Sequence, residues 1–227
     1  MVSIGNCTLG TVPRIAAIID EFIPISALLP LMNQVDLFEM RIDCYNESLD
    51  SIVSYLEKVR NEIGLPMLGT VRENDRTIAD RAGIFKAIMP YVDSVDIELG
   101  TPLSDDIRKL AAGKTILISE HDFSKTPDTA GLQDMVDRAK KQGADIVKIA
   151  AMANSREDVI RLLEFNRSCN DPLITIAMGG LGTVSRVIAP LFGSLFTYGY
   201  LTKPVAPGQL SAAKLVEEFR TFFPTDA

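Results

Sequence analysis

Short runs of β-branched and other apolar residues recur along the whole chain, separated by stretches with helical spacing. The runs predict strands near residues 14–19, 36–41, 67–72, 94–99, 115–119, 145–149, 173–178 and 194–198. Between them, Leu49, Ile52, Val53, Leu56 and Val59 recur at i, i+3, i+4 and i+7, with Glu57, Lys58 and Arg60 on the opposite face. Further helical patterns run over 78–89, 131–141 and 156–165, and a last one over 211–222 closes the chain. Eight strands, each followed by a crossover, predict an α/β fold, an eight-stranded parallel (β/α)8 TIM barrel. The repeat averages about 28 residues, close to the roughly 30 of a βαβ unit. Periodicity alone leaves a doubly wound open sheet as the competitor. No linker or low-complexity stretch divides the sequence, so residues 1–227 are expected to form a single barrel domain.

Catalytic residues of a barrel sit at the C-terminal ends of its strands. Side chains two apart on a strand share a face, so Glu39, Arg41 and Asp43 are expected on one face and Phe38, Met40 and Ile42 on the other. The next strands end in Thr70-Val-Arg72, Asp96-Ile-Glu98 and Ser119-Glu-His121. Each puts a titratable or charged group at the mouth. A ring of salt bridges plugging the barrel end would use the same residues, and for any one of them alone that is the better reading.

Lys148 is harder to dismiss. It lies between Val147 and Ile149 in a strand that should be buried, and lysine is almost never fully buried without a partner. One reading is a side chain snorkelling to the rim. The favoured one is an inward-facing amine made nucleophilic towards carbonyls by burial and neighbouring cations. His121 is the only histidine. It ends the strand before that of Lys148, and Glu98 ends the strand before that; a carboxylate there is expected to raise the imidazole's basicity and fix its tautomer. Lysine nucleophile and histidine base in one mouth form a Schiff-base constellation.

The segment Met178-Gly-Gly-Leu-Gly-Thr-Val-Ser-Arg186 follows the seventh strand. It can be read as a phosphate cradle, as a tight turn, or as a support for Arg186 as a carboxylate clamp. Residues 203–209, stiffened by Pro204 and Pro207, are either a connector or a lid that presents Gln209 to a ligand.

Composition narrows the partners. The chain has 227 residues, 47% of them hydrophobic, and a formal net charge of −7. That balance argues against nucleic-acid and membrane-surface binding, though not against a local cationic pocket. Cys7, Cys44 and Cys169 have neither metal-ligand nor disulfide-framework spacing. The N-terminus lacks signal-peptide character, and no apolar run nears the roughly 20 residues of a membrane span. A cytoplasmic protein is expected.

Taken together, the segments resemble the type I 3-dehydroquinate dehydratases. The resemblance rests on Glu39-Met-Arg-Ile-Asp43, Thr70-Val-Arg72, Val95-Asp-Ile-Glu98, Ser119-Glu-His-Asp-Phe123, Gly143-Ala-Asp-Ile-Val-Lys-Ile-Ala150, residues 178–186 and Ala206-Pro-Gly-Gln209, in family order over nearly the whole chain. It implies a barrel lyase, commonly a homodimer, with no metal and no organic cofactor. Its small-molecule substrate would be 3-dehydroquinate, dehydrated to 3-dehydroshikimate in the shikimate pathway to aromatic amino acids. Lys148 would form the imine, His121 would act as base and then acid in a syn elimination, and Glu98 would orient His121. Arg186 would hold the carboxylate, with Glu39, Arg41, Arg72 and Gln209 binding ring hydroxyls or surrounding the lysine. The sequence departs from the family pattern at Arg76, where many members carry glutamate, and at Val205, where many carry serine. Two other readings use the same residues. One is a Schiff-base aldolase acting on a phosphorylated sugar, with residues 179–182 as its phosphate cradle. The other is a non-catalytic barrel that binds a small acid or a partner protein.

Overall fold

The computed structural model describes residues 1–223. Two short antiparallel strands, β1 (Val2–Ile4) and β2 (Cys7–Leu9), open the chain as a hairpin. Eight parallel strands follow: β3 (Ile15–Ile19), β4 (Leu37–Arg41), β5 (Met67–Thr70), β6 (Ser94–Glu98), β7 (Thr115–Asp122), β8 (Ile146–Met152), β9 (Leu173–Met178) and β10 (Thr197–Tyr200). Their hydrogen-bonded order is β10-β3-β4-β5-β6-β7-β8-β9. The two ends of that order are bridged just before β10. There the Leu195 N–H donates to the Leu173 carbonyl at 3.0 Å, and the Thr175 N–H donates to the Ser194 hydroxyl at 3.2 Å. The sheet therefore curls into a nearly closed (β/α)8 barrel, as the alternation of elements predicts.

Helices α1 (Ile25–Leu28), α2 (Leu49–Glu62), α3 (Arg81–Ile88), α4 (Ser104–Leu110), α5 (Thr129–Lys141), α6 (Arg156–Ser168), α7 (Ser185–Ile188) and α8 (Ala212–Phe222) lie in the crossovers and at the end. Their starts are chemically marked. Ser48, Asp80, Asp128, Ser155 and Ser211 each accept a first-turn N–H with the side chain, and Ser155 and Asp158 cap each other's backbone reciprocally. The short α4 has no side-chain cap and, at seven residues, is too short to show a helical period in the sequence.

Strand parity divides the core in two. Phe38, Met40, Met67, Val95, Ile97, Ile118, Val147 and Ile149 face outwards and pack in one cluster with the helices. Ala16, Leu37, Leu68, Leu117, Ile146, Ile174 and Phe196 face inwards and fill the lower barrel. Ile4, Cys7 and Leu9 of the hairpin join that inner cluster, and the Thr115 hydroxyl donates to the Ser3 carbonyl at 2.5 Å. The hairpin thus plugs the N-terminal end. Sequence reading did not anticipate it, because three-residue strands are too short to carry a period.

Above the apolar floor the inward positions turn polar: Glu39, Asp96, Ser119, Lys148 and His121. The outcome is a packed lower barrel beneath a chemically furnished mouth. If the hairpin is part of the core, Ile4→Ala should destabilise by about 2–5 kcal/mol, the range for large-to-small core substitutions. Urea denaturation checks this; a loss below about 0.5 kcal/mol, typical of surface sites, would make the hairpin peripheral.

Candidate active site

The mouth holds a cavity of about 490 Å³. All eight residues singled out from the sequence line it: Glu39, Arg41, Arg72, Glu98, His121, Lys148, Arg186 and Gln209. They come from five strands or strand ends, from α7 and from the 203–209 loop, so only the closed barrel gathers them.

Lys148 sits in the middle of β8, in register with Ser119 on one side and Ile174 on the other. It is 5% exposed, so it does not snorkel to the rim. Its Nζ lies 3.2 Å from Asp96 and 4.0 Å from Glu39, and over the Tyr198 ring at 4.3 Å from the centroid. The groups in contact with the amine are therefore two carboxylates and an aromatic face, rather than the cations expected from the sequence. Burial selects them, since an ammonium removed from water must be charge-compensated.

Asp96 is the hub of this arrangement. Its fully buried carboxylate accepts from Ser119 at 2.6 Å, from Arg72 at 2.7 Å and from Lys148 at 3.2 Å. Burial by itself would raise its pKa; Arg72 and Lys148, with the Ser119 hydroxyl, outweigh it and hold the carboxyl well below its usual range. Glu39 accepts from the Thr70 hydroxyl at 2.8 Å.

His121 lies within β7, which runs three residues further than the sequence suggests. Burial pushes its pKa down to about 3, reinforced by Lys148, Arg72 and Arg41 against the opposing pull of Asp96. The imidazole is thus neutral at pH 7. Its ring stacks on Phe123, with centroids 6.0 Å apart and planes inclined by 14°.

Glu98 requires a correction. It lies at the mouth, but among the described residues no hydrogen bond joins it to His121. Its carboxylate instead accepts from Arg81 and lies 3.4 Å from Arg72. Two guanidiniums attract a carboxylate more strongly than a neutral imidazole does. Arg81 is only 3% exposed and also donates to the Val71 carbonyl at 2.6 Å.

A second correction concerns Asp43. The chain leaves the extended conformation at Arg41, which precedes a short 3-10 turn over Ile42–Cys44. The two-residue alternation stops there. Arg41 reaches along the turn to bind Asp43 with two hydrogen bonds, of 3.0 and 2.7 Å, while Asp43 itself lies outside the cavity lining. Arg76 also stays outside. It donates to the Asp43 carbonyl at 2.7 Å and to the Asn46 side chain at 2.7 Å, tying two loops together.

The glycine segment acts as a turn. Gly179, Gly180 and Gly182 do not line the cavity, and α7 behind them has four residues, which removes support for a phosphate cradle. Arg186 does line it, at 2% exposure, and burial pushes its pKa down to about 10, with Tyr198 opposing. The Pro207 carbonyl of the lid accepts from the Gly179 N–H at 3.2 Å and from Arg186 at 3.4 Å. Gly208 makes this contact possible: its φ is +72°, and a Cβ there would stand 2.2 Å from the Gly179 carbonyl oxygen. Val205, Ala206 and Gln209 of the lid face the cavity. The Gln209 side-chain oxygen accepts from the Val205 N–H at 2.9 Å, leaving its amide N–H groups for a ligand.

Sequence reasoning missed Asp96 as the lysine's direct partner, although its parity with Glu98 was the available signal. It also missed Tyr198, because an aromatic residue in a strand reads as core. Among the described residues no helix is long and apolar enough to cross a membrane, and no group of three or more His, Cys, Asp or Glu is placed to hold a metal ion.

The comparisons agree with this geometry. The model of the family described as type I 3-dehydroquinase matches residues 25–226. A 3-dehydroquinate dehydratase of Methanocella arvoryzae is 37% identical over 193 residues, covering 82% of this chain and 86% of that protein. One from Methanococcoides burtonii is 35% identical over 226 residues, covering 95% and 97%. A type I 3-dehydroquinate dehydratase of Clostridium difficile, solved with covalent modified comenic acid, superposes with a TM-score of 0.83 at 28% identity, covering 97% of each chain. A matched family model over most of the sequence, relatives above 30% identity across most of their length, and one shared barrel lead to one conclusion: this chain belongs to the type I 3-dehydroquinase family.

Proposed function

We propose that the protein dehydrates 3-dehydroquinate to 3-dehydroshikimate by syn elimination through an imine on Lys148, as a step of the shikimate pathway to aromatic amino acids. The observation that carries the reading is one buried amine, Lys148, lining the same cavity as a neutral imidazole, His121. The names of the relatives supply the substrate, and the Clostridium difficile relative solved with covalent modified comenic acid accords with covalent chemistry in this fold.

The Lys148 ammonium passes a proton to a neighbouring carboxylate, and the freed amine adds to the ketone carbon. That proton returns as the oxygen leaves as water, so that a protonated imine remains. That cation withdraws electrons from the neighbouring C–H bond more strongly than the ketone does. Neutral His121 takes the proton, and the electron pair moves into an enamine. The enamine then expels the β-hydroxyl, which leaves as water with the proton that His121 carried. Hydrolysis of the conjugated imine frees the product and restores the amine.

The surroundings divide the remaining work. Asp96 and Glu39 balance positive charge at the amine and then at the imine. Arg72 is held by Asp96 and lies beside Glu98, while Arg41 is held by Asp43, so both guanidiniums are oriented before substrate arrives. Arg186 binds the carboxylate, and Gln209 closes over it from the lid. Glu98 is a positioning residue for Arg72 in this scheme, not for the histidine. The reading takes residues 1–227 as one barrel domain of a cytoplasmic homodimer working without metal or organic cofactor. Three free cysteines accord with a reducing compartment.

Lys148→Ala should abolish turnover, and borohydride trapping with 3-dehydroquinate should label the wild type alone, at Lys148 by peptide mapping. Near-normal activity in the variant would overturn the imine mechanism.

His121→Ala should lower kcat by about 10²–10⁴-fold while the imine still traps; an unchanged rate would make the histidine structural. The histidine also sets a pH dependence. Unfolded, it binds a proton near 6.5; folded, only near 3. The unfolded state therefore holds more protons in that window, and stability falls as pH drops below about 6.5. Between pH 7 and 4.5, urea midpoints should fall further for the wild type than for His121→Asn. Equal falls would show that the folded imidazole is not held neutral.

A further inference from the structure

Six buried side-chain polar atoms have no hydrogen-bond partner among the described residues: Arg14 Nε, Arg72 Nη1, Ser94 Oγ, Arg108 Nε, Arg186 Nε and Tyr198 Oη. Three of them belong to residues that line the barrel-mouth cavity, Arg72, Arg186 and Tyr198. Buried polar atoms are normally paired, so this concentration marks groups that find their partner in a ligand. Arg72 already carries Asp96 on its other nitrogen. Arg186 and Tyr198 are left with unpaired donors in the same pocket.

Tyr198 is 2% exposed and lies on β10, with its ring beside that of Phe196 at 5.1 Å between centroids. The ring has an evident function, since its face lies over the Lys148 Nζ at 4.3 Å, a cation–π contact that phenylalanine would make equally well. The hydroxyl is not explained by that packing. Neither nearby carboxylate accepts from it: Glu39 accepts from Thr70 and faces Lys148, and Asp96 accepts from Ser119, Arg72 and Lys148. Burial, with Glu39 and Asp96 nearby, pushes the phenol well above its ordinary pKa of 10, so it remains a neutral donor throughout the physiological range. Val205, the lid side chain that faces the cavity, is aliphatic and has nothing to donate.

We propose that the Tyr198 hydroxyl is a substrate-binding group that donates to the same carboxylate as Arg186, while its ring supports the Lys148 cation. One residue then links the two ends of the substrate, the anionic group and the carbon that becomes the imine. The inference rests on the dehydratase reading and extends it by a specificity-determining residue. A carboxylate accepts several hydrogen bonds at once, and a neutral phenol beside a guanidinium adds a directional donor without adding charge. Sites built to hydrogen-bond a ligand discriminate strongly against losing the partner.

The test uses steady-state kinetics on 3-dehydroquinate with the wild type, Tyr198→Phe, Arg186→Gln and the double variant, with thermal unfolding and borohydride trapping of each. Tyr198→Phe keeps the ring and removes only the unpaired oxygen. Its KM should rise about 10-fold or more, its Tm should not fall, and its imine should still trap at saturating substrate. The double variant should lose less than the product of the two single effects, because both donors share one acceptor. An unchanged KM in Tyr198→Phe beside an active wild type would overturn the proposal and leave the dehydratase reading standing. Fully multiplicative effects would overturn the shared carboxylate. A wild type that neither turns over nor traps would sink the dehydratase reading, and this inference with it.

Discussion

The buried ion pair between Lys148 and Asp96 constrains everything around it. An ammonium in the interior of a barrel is costly unless a carboxylate meets it with good geometry and the carboxylate's remaining lone pairs are also satisfied. Asp96 on β6 meets that condition only because Arg72 after β5, Ser119 on β7 and Lys148 on β8 converge on it. Four consecutive strands must therefore hold their register together. A slip of one residue would turn Lys148 into the apolar layer under the helices and leave Asp96 without its partners. The chemistry of the mouth and the correctness of the fold are thus the same condition.

The network also sorts the cavity electrostatically. Carboxylates of Asp96 and Glu39 lie against the amine, whereas Arg41, Arg72 and Arg186 stand around the same cavity. His121 lies between these groups and is kept neutral by burial and by the cations near it. A net charge of −7 over the whole chain conceals these guanidiniums, which stand in the cavity wall beside the carboxylates. A small anion meets a field that the average composition does not represent. The 203–209 loop joins the cavity wall through the Pro207 carbonyl, which accepts from both the Gly179 N–H and Arg186.

Much of this was legible in the residue pattern. All eight barrel strands fall within three residues of their predicted limits at both ends, and β9 matches at both. Inward parity identified Glu39, Arg41, Arg72, Glu98, His121 and Lys148, because a strand's two-residue alternation is a local property of the backbone. The limits of that rule are equally physical. It fails at Asp43, where the chain enters a 3-10 turn. It misses the hairpin, whose strands are too short to show a period. Tyr198 was passed over because its hydroxyl becomes informative only once it is known to be buried without a partner.

The sequence by itself determined the alternation of strands and helices, the face on which each charged residue stands, and the family to which the motifs belong. These follow from short-range geometry and residue chemistry, which a linear pattern contains. Only the tertiary structure decided which charges meet. Glu98 turns to Arg81 and Arg72 instead of His121, Lys148 meets carboxylates instead of cations, and one backbone hydrogen bond with one serine side chain brings the barrel's two ends together. Pairing of that kind depends on distances between residues far apart in the chain and on burial that makes an uncompensated charge intolerable. Neither exists until the strands have curled around a common axis.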